Sequence, residues 1–147
     1  MAISWEIREH SSAAPERVWA LLADARGWSK WARFSKSQLL REGSPTPDGV
    51  GALRSFGSGP VASHEEVVVF DAPTHLAYEL RKGMPVVGYR ADVTLEPDGS
   101  GTTILWASSF DHAKPAFTSG FFKVFFKGFV RDTAKRLARA AEQGDTQ

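Results

Sequence analysis

The chain has 147 residues, with 18 Lys or Arg against 17 Asp or Glu, a formal net charge of +1, and no cysteine. That length fits one domain, 1–147, with an adequate core. The balanced charge gives no general attraction to nucleic acid, and the missing cysteine removes disulfides, thiolate nucleophiles and thiolate metal sites. Ile3, Trp5 and Ile7 alternate with Ser4, Glu6 and Arg8, which predicts a strand with one buried face ending near Ser11. The stretch Met1 to His10 lacks the apolar core of a signal peptide, so a cytoplasmic location is the expectation. Pro15 suits the first turn of a helix in which Val18, Leu21 and Leu22 recur at helical spacing, and a second short helix is expected through Trp28 and Trp31. From Ser35 to Asp111 short apolar runs are separated by turn chemistry, among it Pro47-Asp48-Gly49, Gly57-Ser58-Gly59-Pro60 and Asp98-Gly99-Ser100-Gly101. This predicts an antiparallel meander, part of a sheet of about seven strands. Pro115 opens a long last helix to about Ala141, and the polar tail 142–147 is expected to fray. No apolar run reaches membrane-spanning length, because Lys123 and Lys127 interrupt the best candidate.

Phe117, Phe121, Phe122, Phe125, Phe126 and Phe129 fall within that helix and fan over roughly half its circumference at about 100° per residue. Lys123, Lys127 and Arg131 lie on the opposite side. So broad an aromatic front suits a helix closing over a concave sheet, either packed solid or partly lining a space. Phe117, Phe121 and Phe125, within roughly 80° of one another, are expected nearest that space.

The turns allow the faces of the sheet to be matched. With Gly57 facing Pro60, Ala52, Arg54 and Phe56 share a face with Ser63, Glu65 and Val67; with Asp71 facing Thr74, Leu76, Tyr78 and Leu80 join them. Tyr89, Ala91, Val93 and Leu95 align with Ile104, Trp106, Ser108 and Phe110 through the turn at 98–101. The inward face is therefore apolar except for Arg54, Ser63, Glu65, Tyr78, Tyr89 and Ser108. Buried without partners, each would cost about 1 to 3 kcal/mol, so they imply a polar network, water or a ligand.

The order of strand, two short helices, meander and long last helix resembles the helix-grip fold of the START and Bet v 1-like (SRPBCC) superfamily, more closely its polyketide cyclase/dehydrase-like branch. The segments that carry the resemblance are Ala14 to Trp19, Asp24 to Trp31, Gly51-Ala52-Leu53-Arg54, Glu65 to Pro73, Leu76-Ala77-Tyr78-Glu79 and Gly101 to Trp106. The resemblance implies an α+β fold with a deep cavity between curved sheet and last helix, holding lipids, polyketides or other apolar molecules. It implies no particular reaction.

Arg54 and Glu65, diagonal neighbours in the expected register, are the sharpest candidates for chemistry. Three roles stand open: a structural ion pair, an anchor for a ligand oxygen, or proton transfer by Glu65 with Arg54 and Tyr78. The ligand wall is expected to include Arg54, Glu65, Tyr78, Tyr89, Trp106, Ser108, Phe117, Phe121 and Phe125. His10, His64, His75 and His112 are scattered, His64-Glu65 lacks the second His of a zincin helix, and neither a metal nor a cofactor is expected. The functional expectation is binding of a small apolar molecule with one or two polar oxygens. The alternatives are a cofactor-independent cyclase or dehydratase, and a partner-binding protein whose cavity is filled.

Overall fold

A computed structural model describes residues 2–144. Strand β1 (Ile3–Ser11) leads into helix α1 (Pro15–Ala23), whose proline occupies the first turn, and a 3₁₀ helix at Ala25–Lys30 follows. Then come β2 (Ser37–Arg41), β3 (Leu53–Phe56), β4 (Ser63–Asp71), β5 (His75–Lys82), β6 (Val86–Val87), β7 (Arg90–Asp98), β8 (Gly101–Phe110) and β9 (His112–Ala113). A 3₁₀ turn at Ala116–Thr118 leads into helix α2, Ser119–Gly144. The helix thus runs three residues beyond the expected end at about Ala141, while 145–147 lie outside the described residues.

Seven antiparallel strands form one curved sheet in the order β1-β8-β7-β5-β4-β3-β2, and β6 pairs with β9 in a small ribbon. The inner face of the sheet contributes Trp5, Ile7, Leu76, Val93, Leu95, Ile104, Trp106 and Phe110 to a core completed by Val18 and Leu22 of α1. Along α2, Phe126, Val130, Ala134, Leu137, Ala138 and Ala141 recur three and four residues apart and are all buried. The small alanines let α2 approach β1 and α1 closely, and hydrogen bonds hold it there. Ser11 Oγ donates to the Ala138 carbonyl at 2.8 Å, Arg17 Nε to the Ala141 carbonyl at 3.3 Å, and the Ser12 amide to Glu142 Oε2 at 2.9 Å.

Two registers differ from the sequence expectation, and neither moves a candidate site residue to the other face. Arg54 stands directly opposite Glu65 and Phe56 opposite Ser63, two residues along from the expected pairing. The cause is the connection, which holds a 3₁₀ turn at Gly59–Val61 and positive-φ glycines at 57 (100°) and 59 (60°), so it is longer than a tight hairpin. A two-residue slip preserves the side-chain parity. Between β4 and β5 a bulge near Val68 absorbs one residue, leaving Val67 opposite Tyr78 and Glu65 opposite Leu80 while Phe70 pairs with Leu76. The alignment of Leu95, Val93 and Ala91 with Ile104, Trp106 and Ser108 agrees with the turn-based reading.

Candidate functional site

Between the sheet and α2 lies a cavity of about 210 Å³. Its walls are Trp28 from the 3₁₀ helix, Phe34, Phe56 of β3, Ser63 and Glu65 of β4, Tyr78 and Leu80 of β5, Met84, Tyr89, Trp106 of β8, and Phe125, Phe126, Phe129, Val130 and Thr133 of α2. Val61 and Phe125, 79% and 48% exposed, also line it, so the mouth opens between the β3–β4 connection and the first half of α2.

Two of the polar wall groups are occupied by the backbone. Thr133 Oγ1 donates to the Phe129 carbonyl at 2.8 Å, and Ser63 Oγ reaches the Phe56 carbonyl at 3.5 Å. Glu65, Tyr78, Tyr89 and the unpartnered Nε1 of Trp106 remain as the groups able to address a ligand.

Beneath that wall sits Arg54, with its side chain wholly buried. Its Nη2 donates to Glu65 Oε1 at 3.1 Å, while Nε and Nη1 have no partner. The guanidinium carbon lies 4.9 Å from the ring centre of Trp28, 5.1 Å from Phe56 and 4.9 Å from Tyr78. Three aromatic faces and one carboxylate thus replace the water that a guanidinium normally keeps.

Burial pushes the Glu65 carboxyl above its ordinary range, and the charge and hydrogen bond of Arg54 pull it back only in part. Burial also pushes the Tyr78 phenol well up, and the neighbouring Glu65 adds to the rise. The Tyr89 phenol rises for the same first reason. Trp106 and Ser108 lie near these phenols and ease them downward without a hydrogen bond of good geometry; Trp106 Nε1 and Ser108 Oγ stay unpartnered. Both phenols therefore keep their protons at neutral pH and can donate to a ligand oxygen. Glu65 can accept or, once protonated, donate.

Of the residues expected at the ligand wall, Glu65, Tyr78, Tyr89, Trp106 and Phe125 line the cavity. Arg54 does not; it backs the wall and acts on the cavity through Glu65. Ser108 is buried between Trp5 and Tyr89 at the flank, outside the cavity wall. Phe117 and Phe121 point the wrong way for the expected role, being 88% and 66% exposed. The stripe from Val130 to Ala141 sets the rotation of α2, and it carries Phe126 inward and Phe121 outward. Extending that stripe backward from Leu137 and Ala134 would have identified Phe126, Phe129 and Val130 from the sequence. Trp28 and Phe56, which close over Arg54, also line the cavity; strand parity puts Phe56 on the inward face, but neither was among the residues expected at the ligand wall. Among the described residues no three His, Asp or Glu converge as a metal site would require.

A curved antiparallel sheet gripping a long C-terminal helix around an aromatic cavity defines the helix-grip class of the START and Bet v 1 superfamily. Within it, the chain belongs to the family described as polyketide cyclase / dehydrase and lipid transport, which it matches over residues 3–142. No curated protein matches its sequence. Among solved structures, a START superfamily protein from Mycobacterium smegmatis superposes with a TM-score of 0.77 at 13% identity, covering 97% of each chain. Norcoclaurine synthase from Thalictrum flavum, in complex with dopamine and hydroxybenzaldehyde, gives 0.74 at 15% identity over 97% of this chain and 88% of its own. A protein from Nitrosospira multiformis gives 0.74 at 15% identity over 99% and 100%. At these identities the likeness is one of fold.

Proposed function

We propose that the protein, acting as a single domain, binds a small aromatic molecule bearing one or two oxygens in this cavity. The observation that carries the reading is the convergence of Glu65, Tyr78 and Tyr89 on an otherwise apolar space of about 210 Å³. A cavity of about 150 Å³ is enough for benzene, so this one suits one or two rings and is small for a sterol or a multi-ring polyketide. The likeness in fold to norcoclaurine synthase, named with two single-ring compounds, supports that size class. Rings would lie against Trp106, Phe126 and Phe129, and the ligand oxygen would meet the phenols or Glu65.

The raised carboxyl of Glu65 favours a second reading, a cofactor-independent lyase or cyclase in which Glu65 moves a proton and a tyrosine hydroxyl steadies the resulting oxyanion. One experiment addresses both. Quenching of tryptophan emission by naphthalene and by 2-naphthol should give tighter binding of the naphthol, and Glu65→Gln should weaken the naphthol while sparing naphthalene. Equal binding of both probes by wild type and variant would remove the anchor role. Native mass spectrometry of the purified protein, with extraction of what it retains, supplies the compound on which turnover is then assayed; lost turnover with retained binding in Glu65→Gln is the signature of the proton-transfer reading.

A further inference from the structure

We propose that the outward face at the start of α2 docks on an anionic lipid bilayer, bringing the cavity mouth against the membrane surface. Two of the three rings expected nearest the cavity, Phe117 and Phe121, are left in water. Phe117 and Phe121 are joined by Val124, 73% exposed, and Phe121 stacks on Phe125 with ring centres 6.3 Å apart and planes 13° from parallel. Phe125 also lines the cavity, so the patch runs without a break from the helix surface to the mouth. Contiguous exposed aromatic rings of this kind mark a surface that meets another phase or molecule.

The charges select the occupant. From Lys114 to Arg131 the chain carries Lys114, Lys123, Lys127 and Arg131 and no Asp or Glu. Lys114, Lys123 and Arg131 are exposed within this stretch. A second copy of the chain would bring the same positive charges to the contact, which disfavours self-association, whereas an anionic headgroup layer takes the cations while the rings enter the acyl boundary. No helix among the described residues is long and apolar enough to span the bilayer, so the contact lies in the interface.

The test is flotation of the full chain with vesicles of phosphatidylcholine with and without about 30% phosphatidylserine. Partition is expected onto the serine-containing vesicles, falling steeply with added salt. Phe117→Ser with Phe121→Ser, neither at the cavity wall, should abolish it while the thermal midpoint is kept. Lys123→Gln with Lys127→Gln should lower it about 25-fold, roughly fivefold per charge. Equal partition onto both vesicle types, no partition at low salt, or unchanged partition by the double Phe variant would overturn the proposal. So would a dimer in sedimentation that the same Phe changes dissolve. The assay uses no cavity ligand, so its outcome is independent of the ligand-binding reading.

Discussion

The two faces of the one sheet carry the same kinds of charge and use them in opposite ways. On the outer face a chain of ion pairs links residues of four strands, β2, β4, β5 and β7. Arg41 meets Glu66 at 3.6 Å, Glu66 meets Arg81 at 3.1 Å, Arg81 meets Glu79 at 3.0 Å, Glu79 meets Arg90 at 3.5 Å, and Asp92 accepts from Arg90 at 2.9 Å and pairs with His75 at 2.8 Å. Each group keeps water as well as a partner, and the hydrogen bond from Arg90 holds the Asp92 carboxyl below its ordinary range. On the inner face Arg54 and Glu65 stand alone, with side-chain exposures of 0% and 13%, and burial drives the carboxyl the other way. Solvent, more than partner distance, decides what a pair does. Outside, losing one partner leaves a charge that water can still solvate. Inside, it leaves a charge with nothing around it but rings.

The largest effect should come from Glu65→Leu, which strands the guanidinium. A loss of about 3 to 5 kcal/mol in urea unfolding is expected, and a loss no larger than that of an outer pair would break the contrast between the faces. Adding Arg54→Met to Glu65→Leu should return most of that stability, because an apolar pair of similar bulk has no charge to desolvate. Failure of the double variant to recover would mean that Arg54 holds the fold through its stacking on Trp28, Phe56 and Tyr78 rather than through its charge.

Acid titration of stability sharpens the comparison. Glu65 has a folded pKa above its ordinary 4.5, so its stabilising contribution is present below that value and is lost as pH rises through the folded pKa. Asp92 is depressed below 3.8, so its contribution is present above that value and is lost as pH falls through the folded pKa. Glu65→Gln should therefore flatten the stability profile above about 4.5 and Asp92→Asn below about 3.8. The same sign for both variants in urea midpoints measured across pH would contradict the opposite environments. The smallest effect is expected from Arg81→Ala, under about 1 kcal/mol and smaller still in high salt, since Arg81 is 44% exposed and part of a chain of pairs.

Much of this was legible in the chain. Strand faces follow from the alternation of residues, and because a side chain returns to the same face every two residues, the inward set Arg54, Glu65, Tyr78, Tyr89 and Trp106 survived a register slip of two at the 57–62 connection. The phase of α2 did not follow from its aromatic run. Its five phenylalanines, with Phe117 in the 3₁₀ turn before it, spread over half a turn and are compatible with several rotations, and the weaker stripe of Val130, Ala134, Leu137 and Ala141 decided among them. That choice belongs to tertiary packing, since close approach to β1 and α1 depends on small residues at the contact and on the bonds from Ser11 and Arg17. Periodicity alone determined which residues face inward along each strand. Only the closing of helix on sheet determined which of those residues meet an open space and which, like Arg54, are sealed behind it, because volume left between surfaces is a property of how they fit and is carried by no single segment.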